Sequence, residues 1–495
     1  MIATYRKQAL ARIKFLTLLA AVVLPAVAVF WRYCEPYWLI PAAAKQAPSG
    51  AQTVDDRSPR AGARNVLLIS IDTLRADSLG PIVGDDGMPP PLAKLMANAA
   101  RFNRTYSTAS WTLPAHGSMM TGLYPDRHGA NRPTLTVSPD VLTIAQALRA
   151  QGFETVAFTG GGYLDNRFGF SSGFMQYDKF VDPAYAARHL PRDGATEPIT
   201  VADRFDRGIA YLQQRRAGDP PFFMFLHTFA VHNYFRQRAS LDPRVPSADP
   251  LAALRFQGCL QGRITCLPWE WVSLENCYHA DIGYTESDLA RVLDALDQTG
   301  LRASTLIVIT ADHGEGFDPA WRRIHHGGRL HADVIRVPML IEGPGVVAGP
   351  RETPASLVDV MPTILAYLGV PVPAGLDGRA LPLTRPDDAA QSRTLYAMEH
   401  AFSWTPDGQT PILGPIDGAL AVAVITPDRW YIRGPEGEEL YAQSDVDQRR
   451  NIADTERMDE FRAVADARSV PQTAVAPAKI DETVKERLRA LGYNP

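Results

Sequence analysis

Several short stretches of this chain carry side chains that could do ester chemistry. The apolar run Val66–Ile71 ends in Asp72. A second run, Leu306–Thr310, ends in Ala311-Asp312-His313-Gly314-Glu315. A third, Phe222–Leu226, ends in His227, with His232 five residues on. Two acids and an imidazole delivered to one place suit a divalent cation held by oxygen and nitrogen. Taken singly, Asp72 is also an ordinary helix cap or turn former, and Asp312-His313 an ordinary structural turn. Gly314 beside them permits close backbone approach.

The stretch from Ser110 to Gly122 adds a hydroxyl. Thr112 lies two residues before Pro114 and opens an apolar segment that includes His116, which predicts a helix N-terminus there. A threonine in that place either caps its helix or serves as a nucleophile. Free N–H groups and the helix dipole stabilise an anion at such a position, and a neighbouring cation lowers the hydroxyl's pKa. Further on, His325, His326, Arg329 and His331 fall within seven residues, in a chain with only 11 His. A solvated loop accounts for such a run. So does contact with an anionic group, or protonation of a leaving group.

The elements that must position these groups follow from the pattern of apolar runs. Val66–Ile71, Thr155–Thr159, Phe222–Leu226, Leu306–Thr310 and Met339–Ile341 read as buried strands. Helical stretches lie between them, at Val141–Gln151, Val201–Arg215 and Asp281–Gly300. The alternation predicts an α/β fold, a mostly parallel sheet with helices on both faces. Ligands of such sheets bind beyond the carboxyl ends of the strands, where Asp72, His227 and Asp312 fall. The catalytic domain is expected over 65–384, with a polar boundary at 385–393. A small C-terminal α+β subdomain, 394–495, then holds a hairpin of Leu420–Ile425 and Arg429–Ile432 and a last helix, Ile480–Leu491.

The chain has 495 residues, 46% hydrophobic and 21% charged, with a net charge of −4. These proportions exclude a fibrous or wholly disordered chain and argue against a nucleic-acid binder relying on bulk positive charge. Arg6, Lys7, Arg12 and Lys14 precede Phe15–Trp31, which carries no charge, and aromatic residues follow. That run would span about 25 Å as a helix, so residues 1–40 are expected to be a single membrane anchor, or else a cleaved signal peptide. Residues 41–64 read as a linker, and everything beyond is expected outside the cytoplasm, held at the membrane or secreted. Four Cys are too few for a disulfide scaffold, though Cys259 could bridge Cys266 in an oxidising compartment, leaving Cys277. No obligate protein partner is implied.

Taken together, Asn65–Gly80, Ser110–Gly129, Phe222–His232, Thr310–Gly316, His326–Pro338, Leu357–Gly369 and Ile432–Ile452 resemble the sulfatase family of the alkaline-phosphatase superfamily. The resemblance implies an alkaline-phosphatase-like fold and an anionic ester substrate. It also implies one divalent metal ion (Mn²⁺, Mg²⁺, Ca²⁺ or Zn²⁺) on Asp72, Asp312 and His313, with Thr112 as nucleophile and further ligand. His232, and with it His227, resembles the substrate-facing histidine. His326 falls near the basic residue before the Arg-Val-Pro strand, and His116, Arg329 and His331 complete the candidate set. The family's Cys/Ser-x-Pro-x-Arg motif reads Thr112-Leu113-Pro114-Ala115-His116 here, so no formylglycine is expected, and the motif's Arg is missing. Thr73 stands where a second acid often follows. The pattern is similar to superfamily members that transfer phosphoryl groups through a threonine. The leading expectation is therefore a hydrolase or transferase of phosphate-type esters. A sulfate-ester hydrolase with an unmodified threonine, and a non-catalytic envelope binding protein, are the competing readings.

Overall fold

Long apolar runs rich in Val, Ile, Leu and Phe, with no alternation, form strands only where a sheet is covered on both faces. That is how they fold here. The computed structural model describes residues 64–79, 90–160, 162–179, 202–234, 267–318, 323–387, 392–400, 402–404, 411–413, 419–435, 437–453 and 458–468. The apolar run 15–31, linker residues 41–63, Cys34, Cys259, Cys266 and the helix expected at 480–491 lie outside these residues. Among the described residues no helix is long and apolar enough to cross a membrane.

The main sheet has eight strands: β1 (Asn65–Ile71), β2 (Ala100–Phe102), β3 (Glu154–Thr159), β4 (Gln176–Lys179), β5 (Phe222–Thr228), β6 (Thr305–Ala311), β7 (Met339–Glu342) and β8 (Gly349–Arg351). Their order across the sheet is β8-β2-β7-β6-β1-β5-β3-β4. β1 pairs in parallel with both β5 and β6, and every residue of these three strands is buried. Only β7 runs against the others, pairing antiparallel with β6 and β2. Five expected strands are present. The strands at 100–102, 176–179 and 349–351, each of three or four residues, carry no pattern long enough to read.

Two groups of helices cover the sheet. The helices α1 (Pro90–Asn98), α4 (Ala202–Gln214) and α5 (Pro268–Gln298) pack on one another. So do α2 (Thr112–Thr121), α3 (Ile144–Ala150) and α6 (Val360–Tyr367). Helix α3 begins at a capping box in which Thr143 and Gln146 satisfy each other's backbone N–H groups. Helix α5 starts at Pro268, well before the expected Asp281, because Pro at the first helical position needs no N–H partner. Every residue of α2 is buried, polar ones included, so its His116, Ser118 and Thr121 must find partners inside.

The C-terminal part is an antiparallel sheet of β9 (Leu395–Glu399), β10 (Ala421–Ile425), β11 (Arg429–Gly434) and β12 (Gly437–Ala442), joined in that order. The expected hairpin is the β10–β11 pair. Helix α7 (Asp459–Arg468) packs on β10 and completes an α+β layer. Several of this layer's side chains reach into the main domain near Thr112 and the histidine loop. Glu399 Oε2 accepts from Ser110 Oγ at 2.7 Å and Gly328 N at 3.3 Å. Glu439 Oε2 meets His331 Nε2 at 3.0 Å, Gln448 Oε1 accepts from Ala332 N at 2.8 Å, and Trp430 Nε1 donates to Leu330 O at 3.2 Å.

Candidate active site

Parallel pairing brings the ends of β1, β5 and β6 to one edge. Ile71 lies level with Thr228 on one side and Ala311 on the other, so Asp72 and Asp312 leave the sheet side by side. Thr73 locks them together: its N–H donates to Asp312 Oδ1 at 3.2 Å and its hydroxyl to Asp72 O at 2.7 Å. Its φ of 60° is a left-handed conformation unusual for a β-branched residue. Strain of that kind persists where surrounding bonds over-determine it. Gly314 follows His313 because a Cβ there would stand 2.2 Å from the Asp333 carbonyl oxygen.

Asp72, Asp312 and His313 are fully buried, and their ligand atoms lie within 4.8 Å of one another. His313 Nδ1 donates to Gly314 O at 3.0 Å, so the neutral ring presents its Nε2 lone pair. That nitrogen is 3.5 Å from Asp72 Oδ1, 3.5 Å from Asp312 Oδ2 and 3.5 Å from Thr112 Oγ1. Both carboxylate oxygens of Asp72, and Oδ2 of Asp312, have no hydrogen-bond partner. Buried carboxylates left this way are costly unless a positive charge stands among them. Acceptors converging with no proton to share is the arrangement a divalent cation satisfies. The residues present therefore fit the metal that the fold implies.

Electrostatics agree. Burial drives the Asp72 carboxyl up to about 7, against the pull of His313 and the Thr112 hydroxyl. Burial and the Asp72 charge raise Asp312 as well. Burial alone would depress His313, but Asp312 and Asp72 outweigh it and raise its pKa. Each of the three prefers one more positive charge in the cluster than the side chains supply.

Thr112 is the first residue of α2. The N-cap is Trp111, in extended conformation and without a side-chain cap bond. The Thr112 hydroxyl is therefore not spent on capping; it approaches His313 Nε2 at 3.5 Å and faces the Asp72 carboxyl. Pro114 has no N–H, and Ala115 N bonds Trp111 O at 3.4 Å, which leaves the Thr112 and Leu113 amides as the head of the helix.

His116 lies beneath this turn. Its Nδ1 donates to Thr112 O at 2.9 Å and stands 3.5 Å from Asp312 Oδ2, while Ser70 Oγ donates to Nε2 at 3.0 Å. It grips the backbone of Thr112, not the hydroxyl. His227 lies within β5, opposite Ser70, with Nε2 3.5 Å from Asp72 Oδ2. His232 stacks on Phe229, and its ring centroid is 4.9 Å from that of His326, which in turn is 4.5 Å from His313. Burial holds His116 and His326 near 3 and His227 near 4, and, with the neighbouring His326 and His325, keeps His232 well below the usual range. The His116, His227, His232 and His326 rings are thus neutral at physiological pH.

Arg329 and His331 turn elsewhere. Arg329 Nη1 pairs with Asp333 Oδ1 at 2.6 Å and its Nη2 donates to His325 O at 2.8 Å, while His331 pairs with Glu439. They shape the histidine loop. Sequence reasoning passed over the role of Glu315, whose Oε2 receives His325 Nδ1 at 3.3 Å and His326 Nδ1 at 3.0 Å. Its place two residues after His313, on the same strand end, was the available signal.

Known proteins bear on this geometry. The family model described as Sulfatase matches residues 64–370. An uncharacterized sulfatase of Escherichia coli, YidJ, is 24% identical, over 76% of this chain and 82% of its own. A multifunctional alkaline phosphatase superfamily protein of Trinickia caryophylli, PehA, is 27% identical, over 64% of this chain and 76% of its own. The solved structure of a phosphonate monoester hydrolase from Silicibacter pomeroyi superposes with a TM-score of 0.61 at 21% identity, covering 84% of this chain and 100% of that one. With the family model spanning most of the chain and the catalytic edge built as described, the protein belongs to the sulfatase family of the alkaline-phosphatase superfamily, whose members are ester hydrolases.

Proposed function

We propose that this protein cleaves or transfers phosphate-type esters through a covalent intermediate on Thr112. One observation carries the reading: an uncapped threonine hydroxyl at the head of a buried helix, 3.5 Å from His313 Nε2 and beside Asp72 and Asp312. When bound by Asp72, Asp312 and His313, a divalent ion would supply the positive charge that favours ionisation of a nearby hydroxyl and draws density from an ester oxygen. The chain's own groups do the rest. Thr112 Oγ1 attacks phosphorus in line, its proton passing to solvent; the new O–P bond forms as the ester O–P bond breaks, and the leaving oxygen takes a proton from water. The Thr112 and Leu113 amides and the α2 dipole stabilise the spreading charge. Glu315 accepts the Nδ1–H of His326, which leaves Nε2 of that ring to take a proton from the incoming water or alcohol. That acceptor then displaces Thr112 and regenerates the enzyme.

A sulfate-ester substrate is the second reading. It is favoured by the four imidazoles kept neutral by burial, since a sulfate monoester carries one negative charge less than a phosphate monoester and needs less positive charge from its site. A phosphonate monoester hydrolase among the structural neighbours supports the first. Purified enzyme is to be offered aryl phosphate mono- and diesters, a phosphonate monoester and an aryl sulfate, quenched in acid and digested for mass spectrometry. The expected result is a phosphoryl adduct on the peptide holding Thr112, absent in Thr112→Ala, whose turnover falls at least about a thousand-fold. Full turnover in Thr112→Ala would refute the mechanism; turnover of the sulfate alone would select the second reading. We propose further that residues 15–31 hold the enzyme at a membrane with its site outside the cytoplasm, supported by the basic residues before that run and tested by fractionation and protease protection.

A further inference from the structure

The sequence leads to a single cation, on Asp72, Asp312 and His313. A second group of donors lies beside that centre. Glu315, His325 and His326 also bring three ligand atoms within 4.8 Å of one another. We propose that Glu315, His325 and His326 form a second cation site, with the donor set of zinc, next to the first. The site stands on its own geometry, whichever ester is cleaved at Thr112.

Three observations carry it. The first is convergence. One carboxylate oxygen, Glu315 Oε2, faces His325 Nδ1 at 3.3 Å and His326 Nδ1 at 3.0 Å. Donors held about 2.0–2.1 Å from a tetrahedral ion stand roughly 3.4 Å apart, so these two separations need little adjustment to enclose one. Glu315 Oε2 is thus the point on which both rings converge, while Oε1 accepts from Gly316 N at 3.1 Å.

The second is the backbone. His325 has a φ of 60°, a left-handed conformation rare for a residue with a Cβ. The strain is held by bonds on either side: His325 N donates to Gly316 O at 2.8 Å, His325 O accepts from Arg329 Nη2 at 2.8 Å, and Gly327 N donates to Ser110 O at 2.9 Å. Two adjacent histidines on an extended strand would point to opposite faces. Here the left-handed turn lets both present the same nitrogen to one acid. Strain spent on aiming ligands is expected at a site and unexplained in a solvated loop.

The third is chemistry. One carboxylate and two imidazoles are the donors of three-ligand zinc sites that keep a fourth position open. Imidazole suits zinc and its transition-metal neighbours, whereas calcium and magnesium prefer all-oxygen shells. The fourth direction has somewhere to lead: the His326 ring is 4.5 Å from His313, a ligand of the first centre, and 4.9 Å from His232. An ion here would replace the two Nδ1 protons, so each ring would carry its hydrogen on Nε2. His326 would then change from proton acceptor to hydrogen-bond donor toward the ester.

The test is a zinc count on the full chain. Protein stripped with a chelator is dialysed against zinc chloride alone, desalted and analysed by inductively coupled plasma mass spectrometry. We expect two zinc ions per chain for the wild type, one for Glu315→Gln, one for Asp72→Asn and none for the double variant. His325→Ala, at a half-buried loop position, is the companion should Glu315→Gln fail to fold by circular dichroism; it too should bind one. A wild type that binds one ion, lost in Asp72→Asn but kept in Glu315→Gln and His325→Ala, overturns the second site and leaves the Thr112 centre standing. Two ions retained in folded Glu315→Gln and His325→Ala also overturn it, by putting the second ion elsewhere. No ion in the wild type sinks both centres as zinc sites.

Discussion

Asp72→Asn should stabilise this enzyme once its metal has been stripped, although it removes a residue of the active centre. The Asp72 carboxyl is fully buried, and burial outweighs the pull of His313 and the Thr112 hydroxyl and lifts its pKa from 3.8 to about 7. An acid whose pKa is higher folded than unfolded binds its proton more tightly in the native state. Its contribution to stability is therefore neutral below about pH 4, falls as pH rises, and reaches its full penalty above about pH 7. At 1.36 kcal/mol per unit, that shift is on the order of 4 kcal/mol. Asparagine keeps the shape and cannot ionise. The variant-minus-wild-type difference should then climb from near zero at pH 4 to about 4 kcal/mol at pH 8, or about 4 °C in Tm at roughly 1 °C per kcal/mol for a chain of this size. Taking the difference cancels the groups that do not feel Asp72; Asp312 and His313, which its charge raises, both titrate lower in the variant. The assay is thermal unfolding in a chelator at a fixed scan rate, from pH 4 to pH 8. Adding the divalent ion should narrow the gap at pH 8 by about 2.7 kcal/mol at a hundred times Kd and invert the order only above about a thousand times Kd, where the gain passes about 4.1 kcal/mol, because only the wild type gains the full binding free energy. A gap that is absent at pH 8, or that does not change with pH, would refute the claim that a buried, unpaired carboxylate lies at this centre.

Other substitutions probe other links. Thr112→Ser keeps the hydroxyl at the head of α2 and should retain the covalent adduct, with kcat within about a hundred-fold of wild type; loss of the adduct in a folded protein would mean that the threonine is not the attacking group. Gly314→Ala drives a Cβ to within 2.2 Å of the Asp333 carbonyl oxygen and should cost at least about 1–3 kcal/mol by calorimetry, with weakened metal retention; an unchanged Tm would show that this loop can move aside. His116→Gln should lower kcat about ten- to a hundred-fold with little change in KM, because it loosens the Thr112 turn and Asp312 without touching the ester. His331→Gln should leave KM within about two-fold and cost no more than about 1 kcal/mol, as befits a partly exposed pair with Glu439; a ten-fold rise in KM would return His331 to the substrate.

The acids and imidazoles of the centre were legible because parallel strands deliver their carboxyl ends to one edge, and the residue after each apolar run is then a neighbour of the residue after the next. Asp72, Asp312 and His313 needed no more than that. Thr112 was legible in position but not in role. Capping and catalysis ask for the same residue before the same proline; the extended Trp111 takes the N-cap itself, which removes the capping role and leaves the Thr112 hydroxyl at the helix head. Arg329 and His331 look like anion contacts in sequence because their partners are hidden there. Asp333 is four residues on, but Glu439 arrives through the C-terminal sheet, 108 residues away. The antiparallel β7 escaped for a similar reason: burial patterns record which face a residue takes, not which way its strand runs. Nothing in Ile324-His325-His326 announces a left-handed residue, so the meeting of both rings on Glu315 could not be read in advance.

That hidden geometry gives the C-terminal layer a function. A loop bearing His325, His326 and His331 loses conformational freedom on ordering, and backbone ordering costs about 1–2 kcal/mol per residue. Its own apolar anchor is the single buried Leu330. To the main-domain bonds already described the C-terminal layer adds four more restraints: Glu399 on Gly328, Glu439 on His331, Gln448 on Ala332 and Trp430 on the Leu330 carbonyl. The same Glu399 oxygen holds Ser110, two residues before Thr112, so one buried carboxylate from β9 ties the Thr112 turn and the histidine loop to each other. Nucleophile and imidazoles come from segments more than 200 residues apart, and their spacing must hold to a fraction of an ångström for in-line attack. If Thr112 is the attacking group, the four-stranded layer would act in catalysis by holding the backbone that carries the reacting groups.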